Sequence, residues 1–131
     1  MTDMITDQTS FMYLGNQSTT TLNREQLCLY YSLIQEECVE LKEAYSGDSN
    51  SEIIKEACDV LVVTLGLLLS MGIDVHKAWH LVHKNNVSKV SNQDAIVKDE
   101  NGKIQKSEAS KLSKLKMMAD IQGLLNDNNS R

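Results

Sequence analysis

None of the 131 residues is proline, and only six are glycine. Proline removes a backbone donor and clashes with the preceding helical turn, and glycine carries a large entropic cost in a helix. A chain that avoids both favours long uninterrupted helices over a turn-rich sheet. The apolar residues follow the helical period. Leu27, Tyr30 or Tyr31, Ile34, Cys38, Leu41 and Tyr45 recur every three to four positions, as one face of a helix requires. Asn23 precedes them as an N-cap, and Gln26 completes a box-like start. This helix ends at Gly47, where the polar loop Gly47–Ser51 turns the chain, and Ser49 with Glu52 offers a second capping pair.

The next helix spans about Ser51 to Met71 and is apolar almost all round in its second half, which predicts the central buried element. Gly72 stops it, and Asp74 stands ready to cap a third long helix carrying Val75, Ala78, Trp79 and Val82. Ahead of these, residues 1–20 begin as a weak helix anchored by Phe11, Met12 and Leu14, then pass through Gly15-Asn16-Gln17. Behind them, Asp99–Lys103 reads as a turn with Gly102 at the left-handed position. A last helix over about residues 107–125 repeats Leu112, Leu115, Met118, Ile121 or Gln122, and Leu125, and residues 126–131 read as a frayed tail. The expected fold is therefore all-α: one domain over 1–131, a bundle of three to four long antiparallel helices plus a C-terminal helix.

Five acids break the apolar pattern. Glu36, Glu37 and Glu40 lie in I-Q-E-E-C-V-E-L, and Glu56 and Asp59 in K-E-A-C-D-V-L. Glu37 sits three residues after Ile34 and four before Leu41; Glu56 sits three after Ile53 and four before Val60. These carboxylates fall in apolar stripes rather than on solvated faces, and the i, i+3 pairs point the same way. The short loop makes the two helices antiparallel neighbours, and at ~1.5 Å per residue the two pairs stand at similar height. Such a group calls for a compensating positive charge, and an all-oxygen donor set suits a hard divalent cation. Glu37, Glu40, Glu56 and Asp59 are the candidate ligands. Mg²⁺ fits best, with Mn²⁺ as a substitute. It would clamp a triphosphate and offset its charge. Glu36, rotated by about 100° from Glu37, is the candidate catalytic base or a ligand to a second metal.

Other site chemistries fit less well. A di-iron bundle pairs inward glutamates with Glu-x-x-His, which occurs nowhere in this chain. His76, His80 and His83 fall at i, i+4, i+7, a spacing compatible with Zn²⁺, but neither His-Glu-x-x-His nor a cysteine pair accompanies them. They read as part-exposed histidines around Trp79. Cys28, Cys38 and Cys58 form no Cys-x-x-Cys pair, which argues for a reducing, cytoplasmic setting and for small core-filling side chains. The formal charge is −5 and would be zero without the five acids, so the balance makes no case for nucleic-acid binding. No signal peptide is expected, and the most apolar run, Val60 to Ile73, is 14 residues, too short to span a bilayer.

E-E-x-x-E, then E-x-x-D after 15 residues, then a helix ending N-x-S-K, resembles the all-α nucleoside triphosphate pyrophosphohydrolases. That superfamily takes in MazG-like proteins, phosphoribosyl-ATP pyrophosphohydrolases and dimeric dUTPases. The chain is similar to its small stand-alone MazG-like or phosphoribosyl-ATP-pyrophosphohydrolase-like members over roughly residues 5–105. The resemblance implies cleavage of a nucleoside triphosphate to the monophosphate and pyrophosphate, in nucleotide-pool housecleaning or, alternatively, in histidine biosynthesis. A non-catalytic helical oligomerisation or metal-binding module is the reading from a different class. The resemblance also implies a homodimer or dimer of dimers that completes the base pocket. Asn86 and Lys89 match the post-bundle motif, with Lys84 and Lys103 near enough to serve the outer phosphates. Gln8 and Phe11 take base contacts by the family pattern alone. After Asn101 the resemblance fades, and an amphipathic C-terminal helix is then expected to serve subunit packing.

Overall fold

A computed structural model describes residues 3–91, 98–103 and 108–129. Five helices and no strand occur among them: α1 (Met4–Leu14), α2 (Arg24–Ser46), α3 (Asn50–Ser70), α4 (Val75–Val90) and α5 (Glu108–Asn129). The fold is all-α. The chain forms two compact units, Met1–Val75 and His76–Arg131.

In the first unit α2 and α3 pack along their length, and α1 lies against α3. The caps sit where the sequence places them. Asn23 Oδ1 accepts from the Gln26 amide at 3.1 Å, and Ser49 Oγ accepts from the Glu52 amide at 3.4 Å. Gln26 meets Ser70, Tyr30 meets Gly66, and Glu37 lies near Glu56 and Asp59, so partners advance along α2 as they retreat along α3. That is the antiparallel register a short loop enforces. The core gathers Met12, Tyr30, Val63, Leu69 and Val75, ringed by Ile5, Leu33, Ile34 and several α3 leucines.

The capping box at Asn23 is only half formed, for a tertiary reason. The Gln26 side chain turns away from Asn23 and holds the connection instead. Its amide accepts from the Ser18 N–H at 2.9 Å, and donates to the Ser18 carbonyl at 2.7 Å and to Ser70 Oγ at 2.8 Å. The Asn23 N–H then donates to the Ser70 carbonyl at 3.0 Å, satisfying an acceptor at the C-terminal end of α3. Gln26 is buried and Ser70 fully so. Gln26→Ala should therefore cost about 2 kcal/mol, the range for orphaning buried polar partners, measured as the loss in urea-unfolding free energy.

Burial corrects several sequence expectations. Of the three anchors in α1 only Met12 is buried; Phe11 and Leu14 are exposed. Helix α3 is not covered all round. Val63, Gly66, Leu69 and Ser70 are buried, whereas Ile54, Leu61 and Val62 are exposed, because α1 and α2 reach only one side of it. All three cysteines are exposed rather than core-filling.

In the second unit α4 buries Ala78 and Asn85 and exposes Trp79. Ser113 Oγ on α5 donates to Asn85 Oδ1 at 3.0 Å. Gly102 adopts φ +80°, the left-handed turn its sequence predicts, with Asp99 Oδ1 accepting from the Asn101 and Lys103 amides. Helix α5 continues to Asn129, past the point where the sequence suggests fraying.

Candidate metal centre

The α2–α3 register decides which acids converge. Glu37, Glu56 and Asp59 each offer a carboxylate oxygen, and these oxygens lie within 4.8 Å of one another. All three residues are half-buried. Glu37 Oε2 and Glu56 Oε2 are buried without a hydrogen-bond partner. An orphaned carboxylate oxygen is costly, and two beside a third carboxylate form a donor set that a hard divalent cation satisfies. The residues fit such a cation. Among the described residues no other group of three acids, histidines or cysteines gathers this closely, so His76, His80 and His83 do not form a three-ligand site.

Glu40 and Glu36 lie outside the three converging oxygens, although Glu40 adjoins Glu37. Glu40 is exposed on the next turn of α2, close enough to accept a hydrogen bond from protonated Glu37. Glu36 is exposed and outside the converging oxygens. Lys55 is the residue the sequence undersold. Its ammonium lies 2.7 Å from Asp59 Oδ2 and 3.3 Å from Glu56 Oε1. The i, i+4 spacing to Asp59 was the available signal. Hydrogen bonds to Asp59 and then Glu56 push the Lys55 ammonium above its usual range. Its side chain is 66% exposed, so it is a solvated counter-charge that a stronger cation can displace.

Crowded negative charge shows in Glu37, whose pKa rises from 4.5 to about 7. The hydrogen bond to Glu40 is the largest cause, followed by partial burial and the charges of Glu40, Asp59 and Glu56. Glu37 thus holds its proton more tightly folded than unfolded. Its stabilising contribution is complete below pH 4.5 and is lost as pH rises through about 7. Thermal melts with a chelator should show the metal-free protein losing stability across that interval, and Glu37→Gln should abolish the step.

The remaining candidates occupy two regions. Gln8 is buried on α1 beside the Tyr30 hydroxyl, and Phe11 is exposed on the same helix. Lys89 Nζ donates to Asn86 Oδ1 at 3.3 Å across one turn of α4, and Lys84 is exposed there. Lys103 closes the Gly102 turn.

The family model for phosphoribosyl-ATP pyrophosphohydrolase matches residues 5–86, well over half of the chain. The chain belongs to that family. The match runs from α1 to Asn86, includes all five acids, and leaves out Lys89, Lys103 and α5. No curated protein matches the chain. Membership places it among the MazG-like pyrophosphohydrolases, with pyrophosphohydrolase chemistry as its class of activity and a divalent metal as its class of cofactor. No single helix among the described residues is long and apolar enough to cross a membrane.

Proposed function

We propose that the protein is a Mg²⁺-dependent nucleoside triphosphate pyrophosphohydrolase, with Mn²⁺ able to substitute, working on the cytoplasmic nucleotide pool. The observation that carries this reading is the convergence of Glu37, Glu56 and Asp59 with two orphaned oxygens, in a member of a pyrophosphohydrolase family. In this reading Glu37, Glu56 and Asp59 hold the cation, and Glu40 either completes the set or steadies Glu37. The bound cation supplies positive charge against the triphosphate. Glu36, exposed and outside the ligand group, takes the proton of the attacking water. Water adds across a phosphoanhydride bond, that bond breaks, and the nucleoside monophosphate and pyrophosphate separate. Asn86, Lys89, Lys84 and Lys103 bind phosphate or sugar oxygens, and Gln8 and Phe11 face the base. Self-association as a dimer or dimer of dimers completes the pocket, supported by the uncovered Ile54, Leu61 and Val62 on α3.

The test is pyrophosphate release from a panel of ribo- and deoxyribonucleoside triphosphates and phosphoribosyl-ATP, with Mg²⁺ and with chelator. Release from at least one triphosphate only with metal supports the reading. Inactivity on the whole panel, with no Mg²⁺-dependent shift in melting temperature, removes it. Turnover of phosphoribosyl-ATP alone would move the substrate to the histidine-biosynthesis alternative.

A further inference from the structure

The charge of this chain is divided sharply along its length. The first unit, residues 1–75, carries twelve acids and three bases, a formal −9; residues 76–131 carry six acids and ten bases, a formal +4. A nucleotide's phosphates are repelled by the first unit unless a cation is bound there, and the second unit holds most of the lysine.

Part of that lysine borders one place in the fold. A cavity of about 280 Å³ opens between α4 and α5, lined by Asn85, Asn86, Lys89, Ser110 and Lys114 over the apolar Val82 and Met117. Asn85 and Ser110 are buried, so the cavity carries fixed polar groups beside its apolar residues, with Asn85 tied to Ser113 across the helices. A second cavity of about 380 Å³ shares Asn85 and Met117 and adds Lys84, Lys116, Ser88 and Ser113. Asp120, at that second cavity, is the one acid lining either. None of Lys84, Lys89, Lys114 and Lys116 makes an ion pair with an acid among the described residues. Four ammonium groups bordering a cleft with one carboxylate describe a site for a multiply charged anion. The first cavity lies just below the usual size range of small-molecule pockets, which suits the phosphate end of a ligand rather than a whole nucleotide.

We propose that the α4–α5 cleft is a polyphosphate-binding site and that Lys114 of α5 is a phosphate-binding residue in it, alongside Lys89 and Asn86. This rests on the pyrophosphohydrolase reading for the identity of its ligand, a nucleotide's phosphate chain. It gives the C-terminal helix a role in substrate binding, although that helix lies outside the family match.

Inorganic tripolyphosphate is the probe, titrated calorimetrically into the full chain with chelator present, so that the acidic cluster repels the anion rather than binding it through metal. Wild type binds, and Lys114→Gln and Lys114→Glu weaken binding about tenfold or more, as loss of a charge-assisted hydrogen bond would. The two variants keep wild-type circular dichroism. Lys42→Ala on α2 leaves the affinity within twofold. With nucleotide and Mg²⁺, Lys114→Gln raises KM by a similar factor and changes kcat little. Wild-type affinity in both Lys114 variants overturns the proposal, as does an equal loss in Lys42→Ala, which would mean net charge alone. Equal or tighter binding of a short RNA oligonucleotide overturns it in favour of a nucleic-acid surface. If no nucleotide is hydrolysed yet tripolyphosphate binding depends on Lys114, the catalytic reading fails and the cleft stands. If hydrolysis is normal and tripolyphosphate binding is indifferent to Lys114, the cleft fails and the catalytic reading stands.

Discussion

Glu37→Gln should reduce pyrophosphate release by about a thousandfold or more, while the metal-free protein melts at the same temperature as wild type or higher. The two halves of this result have one cause. Glu37 faces Glu56 and Asp59 across the helix pair and Glu40 along its own helix, and its Oε2 has no partner. With a cation bound, that oxygen is a ligand, and several kcal/mol of charge stabilisation depends on it. Three orders of magnitude correspond to about 4 kcal/mol. Without the cation the same carboxylate meets like charge, which the neutral amide relieves. Asp59→Asn should behave alike in turnover. It also loses the contact with Lys55, but that lysine is largely solvated and the pair contributes little to stability. The assays are initial rates of pyrophosphate release and thermal melts in chelator. Marked unfolding of both variants would recast the acids as structural. Normal turnover would remove them from the site.

Gly66→Ala should destabilise the fold by about 3 kcal/mol, the upper end of the range for overpacking. A Cβ at position 66 would sit 2.1 Å from Tyr30 Cε1 and 2.4 Å from Cδ1, well inside contact distance. The ring cannot swing away cheaply. Tyr30 is 3% exposed, packs in the core beside Met12 and Val63, and donates its hydroxyl hydrogen bond to Gln17 Oε1. Relief must therefore come from separating α2 and α3, which also shifts Glu37 relative to Glu56 and Asp59. Urea unfolding should show the loss of stability. A Mg²⁺ titration followed by the shift in melting temperature should show weaker binding from a substitution that touches no acid. Wild-type stability in Gly66→Ala would mean that the helices approach less closely than the structure shows.

Much of this molecule was legible in its sequence because the signals are local. Proline's absence and the three-to-four-residue spacing of apolar side chains determined the helices, since both act through backbone geometry within a turn or two. Asn23, Ser49 and Gly72 marked ends because a cap or a left-handed residue is needed wherever a helix stops. A short loop and a constant rise per residue were enough to set Glu37 opposite Glu56 and Asp59 in height.

Height along an axis is as far as periodicity reaches. How α2 and α3 rotate and approach is decided by packing, chiefly by the Tyr30 ring against the bare backbone of Gly66, two residues far apart in sequence. That approach brings three acids together, leaves Glu40 and Glu36 outside, and orphans two particular oxygens. Likewise Gln26 abandons its local cap for Ser18 and Ser70 because buried partners were available there. The exposure of the cysteines and of Ile54, Leu61 and Val62 was equally illegible, because apolarity shows what burial would favour and not which neighbours exist to provide it. The sequence by itself determined helices, their ends and a facing pair of acidic turns; the tertiary structure alone decided which oxygens meet, since convergence within a few ångströms depends on rotation and rotamer, which have no one-dimensional signature.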